Sequence, residues 1–312
     1  MNQPIQKKRG RRVVQSNQLT EASYSLTRDQ KRILYLCMSK MPNVPEGEPI
    51  MHDGKFTIAV ADYAEAYDLP SSAASQDIRT ALNRFRGKEV TIYRPEFDEG
   101  DDKGYDAYPW LVKRSVRPNI GLYEIHINQE LMPLMAGLRR NFTVYDMIEV
   151  NGITNPLVMR LYESLCQFRG NRSEGTVTLS VEWIRARYML PASYNRMPDF
   201  RKRFLDVAVQ EINQKSQLRI EVKEKKTGRS ITHLEFKFVD IERKKMEGIK
   251  RVAADPESGQ TDLKQALDEG GQIDPSKGQA AGEGGQIDMP PEAREIEDQE
   301  IAEFMAIEDR ST

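Results

Sequence analysis

Apolar residues in the first half of the chain recur first at helical and then at strand-like spacing. Thr27 and Gln30 have the spacing of a capping box, and the apolar residues behind them continue at helical spacing until Pro42, which predicts a helix. The remaining predicted elements are a strand at 56–60, a helix with Tyr63, Ala64 and Tyr67 on one face, a turn at 69–72, a helix capped by Ser72 and ended by Gly87, strands beginning at Val90, Trp110 and Tyr123, and an acidic loop at 95–108.

The second half of the chain repeats this order of elements. Its predicted elements are a helix capped by Asn155, a strand at 177–181, a helix at 183–189, a turn at Leu190-Pro191, a helix opened by Pro198, and two strands joined by Thr227-Gly228. The residues Thr57, Val60, Tyr67, Leu69 and Pro70 recur at an offset of 121 as Thr178, Val181, Tyr188, Leu190 and Pro191. Asp77-Ile78-Arg79 and Leu82 recur at an offset of 122 as Asp199-Phe200-Arg201 and Phe204. A near-constant offset and a shared element order together predict an internal duplication.

A strand followed by a helix, a turn, a second helix and a hairpin is the layout of a winged helix. We therefore predict an α+β protein with two tandem winged-helix domains, each a helix-turn-helix plus β-ribbon, and a disordered acidic C-terminal tail. The predicted boundaries are a disordered basic arm at 1–15, winged-helix domains at 16–145 and 146–250, and the tail at 251–312. Within the tail, residues 295–307 have the composition of a short amphipathic helix, but an unstructured end is favoured because isolated helices this short are marginal.

The charge of the chain is divided unevenly along its length. Residues 1–250 carry 41 Lys and Arg against 32 Asp and Glu, a net charge of +9, whereas residues 251–312 carry 5 against 16, a net charge of −11. A basic body with an acidic tail is typical of nucleic-acid binders, although an ordinary basic domain with a solubilising tail has the same balance. The two cysteines exclude a disulfide scaffold and suit a reducing cytoplasm. No apolar run reaches the length of a membrane span.

The second helix of each helix-turn-helix is the element that enters the major groove of DNA in this motif. The face opposite the predicted core carries Ala73, Gln76, Arg79, Thr80 and Asn83 in the first unit, and Asn195, Arg196, Arg201, Lys202, Arg203 and Asp206 in and before the second. Arg pairs with guanine, and Gln or Asn with adenine. Ordinary solvated helix faces are the alternative. The occurrence of the motif in two copies favours DNA.

Further cations lie where DNA phosphates would be contacted. They are Lys223, Lys225, Lys226 and Arg229 around the Thr-Gly turn, Lys113, Arg114 and Arg117 in the first ribbon, and Arg28, Lys31 and Arg32 at the start of the first helix. Contacts of this kind position a protein on DNA without specifying sequence. Cations at a helix N-terminus interact unfavourably with the helix dipole, and a nearby phosphate would offset this interaction. A solvated surface is the commoner explanation for cations at such positions.

The residues that enzymes and metal sites require are missing from the sequence. There is no phosphate-binding G-x-x-x-x-G-K-[ST] loop, and the glycines at 282–285 lack a strand and a helix beside them. The acidic loop lacks the ligand spacing of a calcium site, and His52, His126 and His233 are isolated from one another. We expect no enzyme activity, no metal and no cofactor.

Several strings in the chain resemble the initiator Rep protein family of iteron-containing, theta-replicating plasmids. The resemblance covers about residues 13–241 and leaves the role of the tail open. The strings that carry it run from Val14 to Asn17 and from Leu26 to Arg32, and include Gly87-Lys-Glu-Val, Ile153-Thr-Asn-Pro, Met159-Arg-Leu-Tyr-Glu-Ser-Leu-Cys-Gln and Arg196-Met-Pro-Asp-Phe-Arg.

The resemblance implies a replication initiator that binds origin direct repeats (iterons) as a monomer and represses its own gene as a dimer on an inverted repeat, in the cytoplasm of a bacterium. It implies that the N-terminal domain carries the dimer contact, and that the host initiator, the replicative helicase and chaperones are partners. A winged-helix transcriptional regulator without a replication role is the alternative hypothesis. An endonuclease or relaxase is a third, which nicking of supercoiled origin DNA would reveal.

Overall fold

The computed structural model describes residues 11–41, 52–135 and 141–254. Its helices are α1 (Asn17–Glu21), α2 (Arg28–Met38), α3 (Val60–Tyr67), α4 (Ser71–Arg84), α5 (Met147–Asn151), α6 (Pro156–Arg169), α7 (Val181–Arg187), α8 (Met197–Phe200), α9 (Asp206–Lys215) and α10 (Ile241–Ala254). Its strands are β1 (Arg12–Ser16), β2 (Lys55–Ala59), β3 (Glu89–Tyr93), β4 (Tyr105–Pro109), β5 (Leu111–Arg117), β6 (Leu122–Ile127), β7 (Phe142–Asp146), β8 (Glu174–Ser180), β9 (Leu218–Thr227) and β10 (Ser230–Asp240).

Two antiparallel three-stranded sheets with the same topology confirm the pair of winged helices. Their strand orders are β2-β6-β5 and β8-β10-β9, so β5–β6 and β9–β10 are the two wings. The predicted duplication matches the element boundaries, because Val60 and Val181 each begin the helix that follows the first strand of the sheet. The capping box of Thr27 and Gln30 is also present at the start of α2.

The first half contains an additional ribbon between its second helix and its wing. Strands β3 and β4 form a separate two-stranded sheet, with Tyr93 opposite Tyr105 and Val90 opposite Tyr108. The predicted loop at 95–108 is therefore wrong over 105–108, where an aromatic pair and an aromatic–valine pair across the strands stabilise a strand that its sequence pattern alone does not indicate. The predicted cap Ser72 is also wrong, since α4 begins at Ser71 after Pro70.

The N-terminal strand pairs with the beginning of the second half. β1 is antiparallel to β7, with Val13 opposite Tyr145, and the Val13 side chain is fully buried. A disordered arm is therefore wrong for residues 12–15, because a buried apolar residue and a strand ladder hold them in place, while residues 1–10 lie outside the described part. The predicted domain boundary at 145/146 falls inside β7.

The last described helix continues past the predicted start of the tail. α10 extends to Ala254, so disorder is wrong for the first four residues of the tail as we predicted it. Residues 255–312, including the predicted amphipathic segment at 295–307, lie outside the described residues.

A buried ionic cluster joins α2 of the first half to α6. The Glu163 carboxylate on α6 is fully buried and accepts hydrogen bonds from Lys31 Nζ at 2.8 and 2.9 Å. Tyr35 also donates to Glu163, and the Tyr145 and Tyr24 hydroxyls lie 3.2 and 3.4 Å from its oxygens. We call these residues, together with Arg160, the Glu163 cluster.

Arg160 adds a second cation to the cluster. Its guanidinium carbon lies 3.8 Å from the centre of the Tyr24 ring, Nη2 donates to the Ala22 carbonyl at 2.6 Å, and Nη1 lies 3.9 Å from Glu163. One turn before the end of the helix, Cys166 is also buried, and at the end Arg169 pairs with Asp240 at 2.7 Å and Glu149 at 3.1 Å. One helix, α6, thus carries two buried ion-pair networks.

Burial and neighbouring charge set the protonation of the Glu163 cluster. Burial lowers the pKa of Lys31 to about 8, against the attraction of Glu163. Burial alone would raise the pKa of Glu163, but Lys31 and Arg160 hold this pKa below its ordinary value. The cluster at neutral pH therefore contains two cations and one carboxylate.

Glu163→Gln keeps the side-chain shape but leaves Lys31 and Arg160 buried without a counter-charge. We expect the free energy of unfolding, measured by urea denaturation at pH 7, to fall by about 3–5 kcal/mol. Because the folded pKa of Glu163 is lowered, its contribution is complete above the ordinary glutamate value of 4.5 and is lost as pH falls through the lower folded value. The difference between the two proteins should therefore shrink in acid.

The matched control is Glu174→Gln. Glu174 is 59% exposed and pairs with Lys244 at 3.1 Å on the surface, so its loss should cost less than about 1 kcal/mol. Equal destabilisation by the two substitutions would contradict the role of the buried cluster.

Candidate nucleic-acid interface

The second helix of the first helix-turn-helix, α4, presents a polar face to solvent. Its buried side consists of Ala74, Ile78, Ala81 and Leu82. Of the predicted contact residues, Gln76, Arg79 and Asn83 are exposed, and Ala73 and Thr80 are partly buried. The structure thus brings the predicted set together on one face of one helix. Its binding to DNA remains a prediction.

Sequence reasoning missed two cations beside this face. Arg84 and Arg86 are exposed at the end of α4 and just beyond it. Arg84 follows Thr80 by four residues, so continuing the helical spacing by one turn would have found it. Arg86 lies beyond the helix and carries no periodic signal.

The corresponding helix of the second half is longer and contains a π-helical turn. Residues 197–215 run continuously through α8, the π-turn Arg201–Leu205 and α9. Lys202, Arg203 and Asp206 are exposed on it, as are Asn195 and Arg196 just before it. Arg185 of α7 donates to the Asn195 carbonyl at 2.8 Å, which fixes the chain where it enters the helix.

The π-turn adds one residue to this helix relative to the corresponding helix of the first half, α4. Ile78 and Phe200 are equivalent buried positions at an offset of 122, whereas Phe85 and Ala208 are buried at an offset of 123. The extra residue lies in the π-turn, and so do Arg201, Lys202 and Arg203. Such turns occur often at functional sites because they change the rotational phase of side chains on either side of them.

The Arg201 side chain forms an ion pair within the protein. Its guanidinium donates through Nε to Glu224 of β9 at 2.9 Å and is half-buried, which ties the recognition helix to the wing. Arg203 lies 3.7 Å from Asp199, and no ion pair involves Lys202 among the described residues.

The second wing ends in a hairpin tip that carries several cations. Gly228 has a φ of +61°, a conformation that a residue with a Cβ adopts with strain, and this permits the tight turn. Lys223, Lys226 and Arg229 are exposed and form no ion pair within the described part of the chain, while Lys225 pairs with Glu235 at 2.5 Å. The structure therefore gathers the predicted wing cations at one end of one ribbon.

The first wing carries fewer available cations. Lys113 lies 3.4 Å from Glu124 of the neighbouring strand, whereas Arg114 and Arg117 are exposed. Ile120, at the tip, is 64% exposed. The two wings thus differ in charge although their sheets share one topology.

The predicted phosphate contacts on α2 are wrong for Lys31 and Arg32. Lys31 is buried in the Glu163 cluster, and Arg32 is buried with its guanidinium 4.7 Å from the centre of the Tyr67 ring. Arg28, which is partly exposed, pairs with Asp29 at 2.7 Å and lies 3.6 Å from Asp77. Carboxylates of the protein, rather than phosphates, compensate these cations near the helix N-terminus.

The described residues contain no group of three or more His, Cys, Asp or Glu side chains placed to hold a metal ion. Burial raises the pKa of both Cys37 and Cys166, so these thiols are neutral. None of the described helices is both long and apolar enough to span a membrane.

Comparison with known proteins gives two domain matches and two similar chains. The model of the initiator replication protein WH1 domain matches residues 12–166, and that of the initiator Rep protein WH2 domain matches residues 180–238. An uncharacterised 27.6 kDa protein of Escherichia coli is 32% identical over 216 residues, which cover 66% of this chain and 87% of that protein. The crystal structure of the Pi initiator protein in complex with iteron DNA is similar with a TM-score of 0.60 at 17% identity, over 75% of this chain and 98% of that one, which shows a shared fold.

Proposed function

The chain belongs to the initiator replication protein family, and on that basis we propose that it binds the direct repeats of a plasmid origin as a monomer, with both winged helices on the DNA. The proposal rests on a contrast between the buried and the exposed cations of the protein. Those inside the protein are matched by carboxylates, whereas those on the second recognition helix and wing tip, including Lys202, Lys223 and Lys226, are exposed and form no ion pair in the described chain. A DNA backbone supplies the missing counter-charge.

Sequence recognition is assigned to the two exposed helix faces. Gln76 and Asn83 of α4 have the amide groups that pair with adenine, and Arg79 has the guanidinium that pairs with guanine. On the second helix, Lys202 and Arg203 are the corresponding donors. The two faces differ in composition, which suits a repeat whose two halves are not the same sequence.

We assign repression of the protein's own gene to a dimer on an inverted repeat, because two-fold symmetric sites match two-fold symmetric proteins. The dimer contact is assigned to the N-terminal half. There β4 pairs with β3 alone among the described strands, and Tyr105 on it is 60% exposed. An unpaired strand edge is a template for pairing with a second chain. The host initiator, the replicative helicase and chaperones are proposed partners in origin opening.

Binding stoichiometry tests the proposal directly. We expect one monomer on DNA with one direct repeat and a dimer on DNA with one inverted repeat, measured by native mass spectrometry at fixed salt. A dimer on both DNAs would instead favour a transcriptional regulator without a replication role. Equal affinity for random DNA would overturn sequence-specific binding altogether.

The salt dependence of binding tests the wing. Each phosphate contact that is lost reduces the slope of log K against log salt by about 0.9, so alanine at Lys223, Lys226 and Arg229 together should reduce it by up to about 2.7. Lys244→Ala is the matched control. Lys244 lies in the first turn of α10, at the other end of β10 and about 30 Å from the wing tip at the rise of a strand, so its loss should leave the slope unchanged.

Deletion of Lys202 tests the π-turn. Removing one residue allows a continuous α-helix like α4, which the same architecture accommodates in the first half. Lys202→Ala removes the same charge and keeps the π-turn. We expect both variants to lose similar non-specific affinity, and only the deletion to lose about tenfold in preference for the cognate repeat over random DNA, because the donors on either side of the turn change phase. Equal preference in the two variants would show that the π-turn has no part in recognition.

A further inference from the structure

The final helix, α10, packs against the body through its polar side. Arg243 donates to the Gly170 carbonyl at 2.7 Å and pairs with Asp240 at 3.2 Å. On the same side, Ser173 donates to Glu247 at 2.8 Å and Lys244 pairs with Glu174 at 3.1 Å. Salt bridges and hydrogen bonds thus hold the side of the helix that normally faces solvent.

The opposite side of α10 exposes apolar residues. Met246 and Ile249 are three positions apart, one turn of helix, and are 59% and 58% exposed. An amphipathic helix usually buries such residues, so this arrangement leaves a face without its expected cover. The wing tip lies about 30 Å away along β10, which separates this face from the proposed DNA contacts.

We propose that this apolar face of α10 is a docking surface for residues 295–307 of the same chain. This segment contains seven apolar residues, with Ile301, Phe304 and Met305 at the spacing of one helix face. It also contains five acidic residues and no basic one, whereas α10 contains five basic residues and two acidic ones. Apolar spacing and charge therefore complement each other.

The connecting chain is long enough for this contact. Forty residues separate Ala254 from Glu295. A flexible linker of that length has a root-mean-square span of about 35 Å, while Met246 lies about 12 Å from the end of α10. Such tethering gives an effective concentration on the order of 1 mM, which favours even a weak contact. A second copy is a poorer occupant, because two α10 helices, each with a net charge of +3, repel each other.

Hydrogen–deuterium exchange on the full-length protein tests the proposal. We expect amides of residues 295–307 to exchange at least about threefold more slowly in the wild type than in the double variant Met246→Glu/Ile249→Glu. The reciprocal variant Phe304→Glu alters only the tail, and should speed exchange in α10 without disturbing the folded body. The matched control, Phe97→Glu/Ile120→Glu, changes two apolar residues elsewhere that are at least as exposed, and should leave both segments unchanged.

Three results would overturn the proposal. The first is exchange in 295–307 that does not respond to either set of variants. The second is protection of α10 that rises with protein concentration, which would assign the face to a second copy. The third is protection of α10 only when vesicles of anionic lipid are added, which would assign it to a membrane surface. None of these outcomes bears on DNA binding, so the proposed function is tested separately.

Discussion

The buried carboxylate of Glu163 is the constraint on which the arrangement of the two halves depends. Taking a carboxylate and two cations out of water is costly, and the cost is offset only when their geometry satisfies each group. Lys31 comes from α2, whereas Glu163 and Arg160 come from α6, so satisfying the charges fixes one helix against the other. Because α2 packs on α4 and α6 packs on α9, this contact sets the distance between the second helices of the two helix-turn-helix units. The proposed binding of both winged helices to DNA requires that distance to be constant.

The two halves differ in the parts that face outward. Their three-stranded sheets and helix order are alike, because a buried core tolerates only sequences that preserve the same packing. The first half contains the β3–β4 ribbon, whereas the second contains a π-turn and the more basic wing. One architecture thus supplies a mainly polar face in one unit and a strongly cationic face in the other.

The sequence predicted the helices, strands and repeated faces that local periodicity and internal repetition specify. Helix caps such as Thr27 and the strand alternation around Tyr123 were enough to place the winged helices, and the offset of 121 identified their equivalent faces. It did not predict the partners of β1 or β4, because strands without strong alternation are specified by distant residues. Lys31 and Arg32 were placed on the surface since a cation is buried only when paired, and Glu163 lies 132 residues beyond Lys31. The π-turn was not predicted, because the shift of the offset from 121 to 122 already occurs before Asp199, ahead of the turn.

The pairing of β1 with β7 has a consequence for synthesis on the ribosome. Val13 is made 132 residues before its partner Tyr145. At about 5–20 residues per second, the first strand waits on the order of 7–26 s with its edge and apolar side chain uncovered. Throughout that interval the nascent N-terminal half lacks the strand that pairs with β1, and it is completed only once β7 has emerged. The order of translation therefore leaves β1 without its neighbour until β7 has been made.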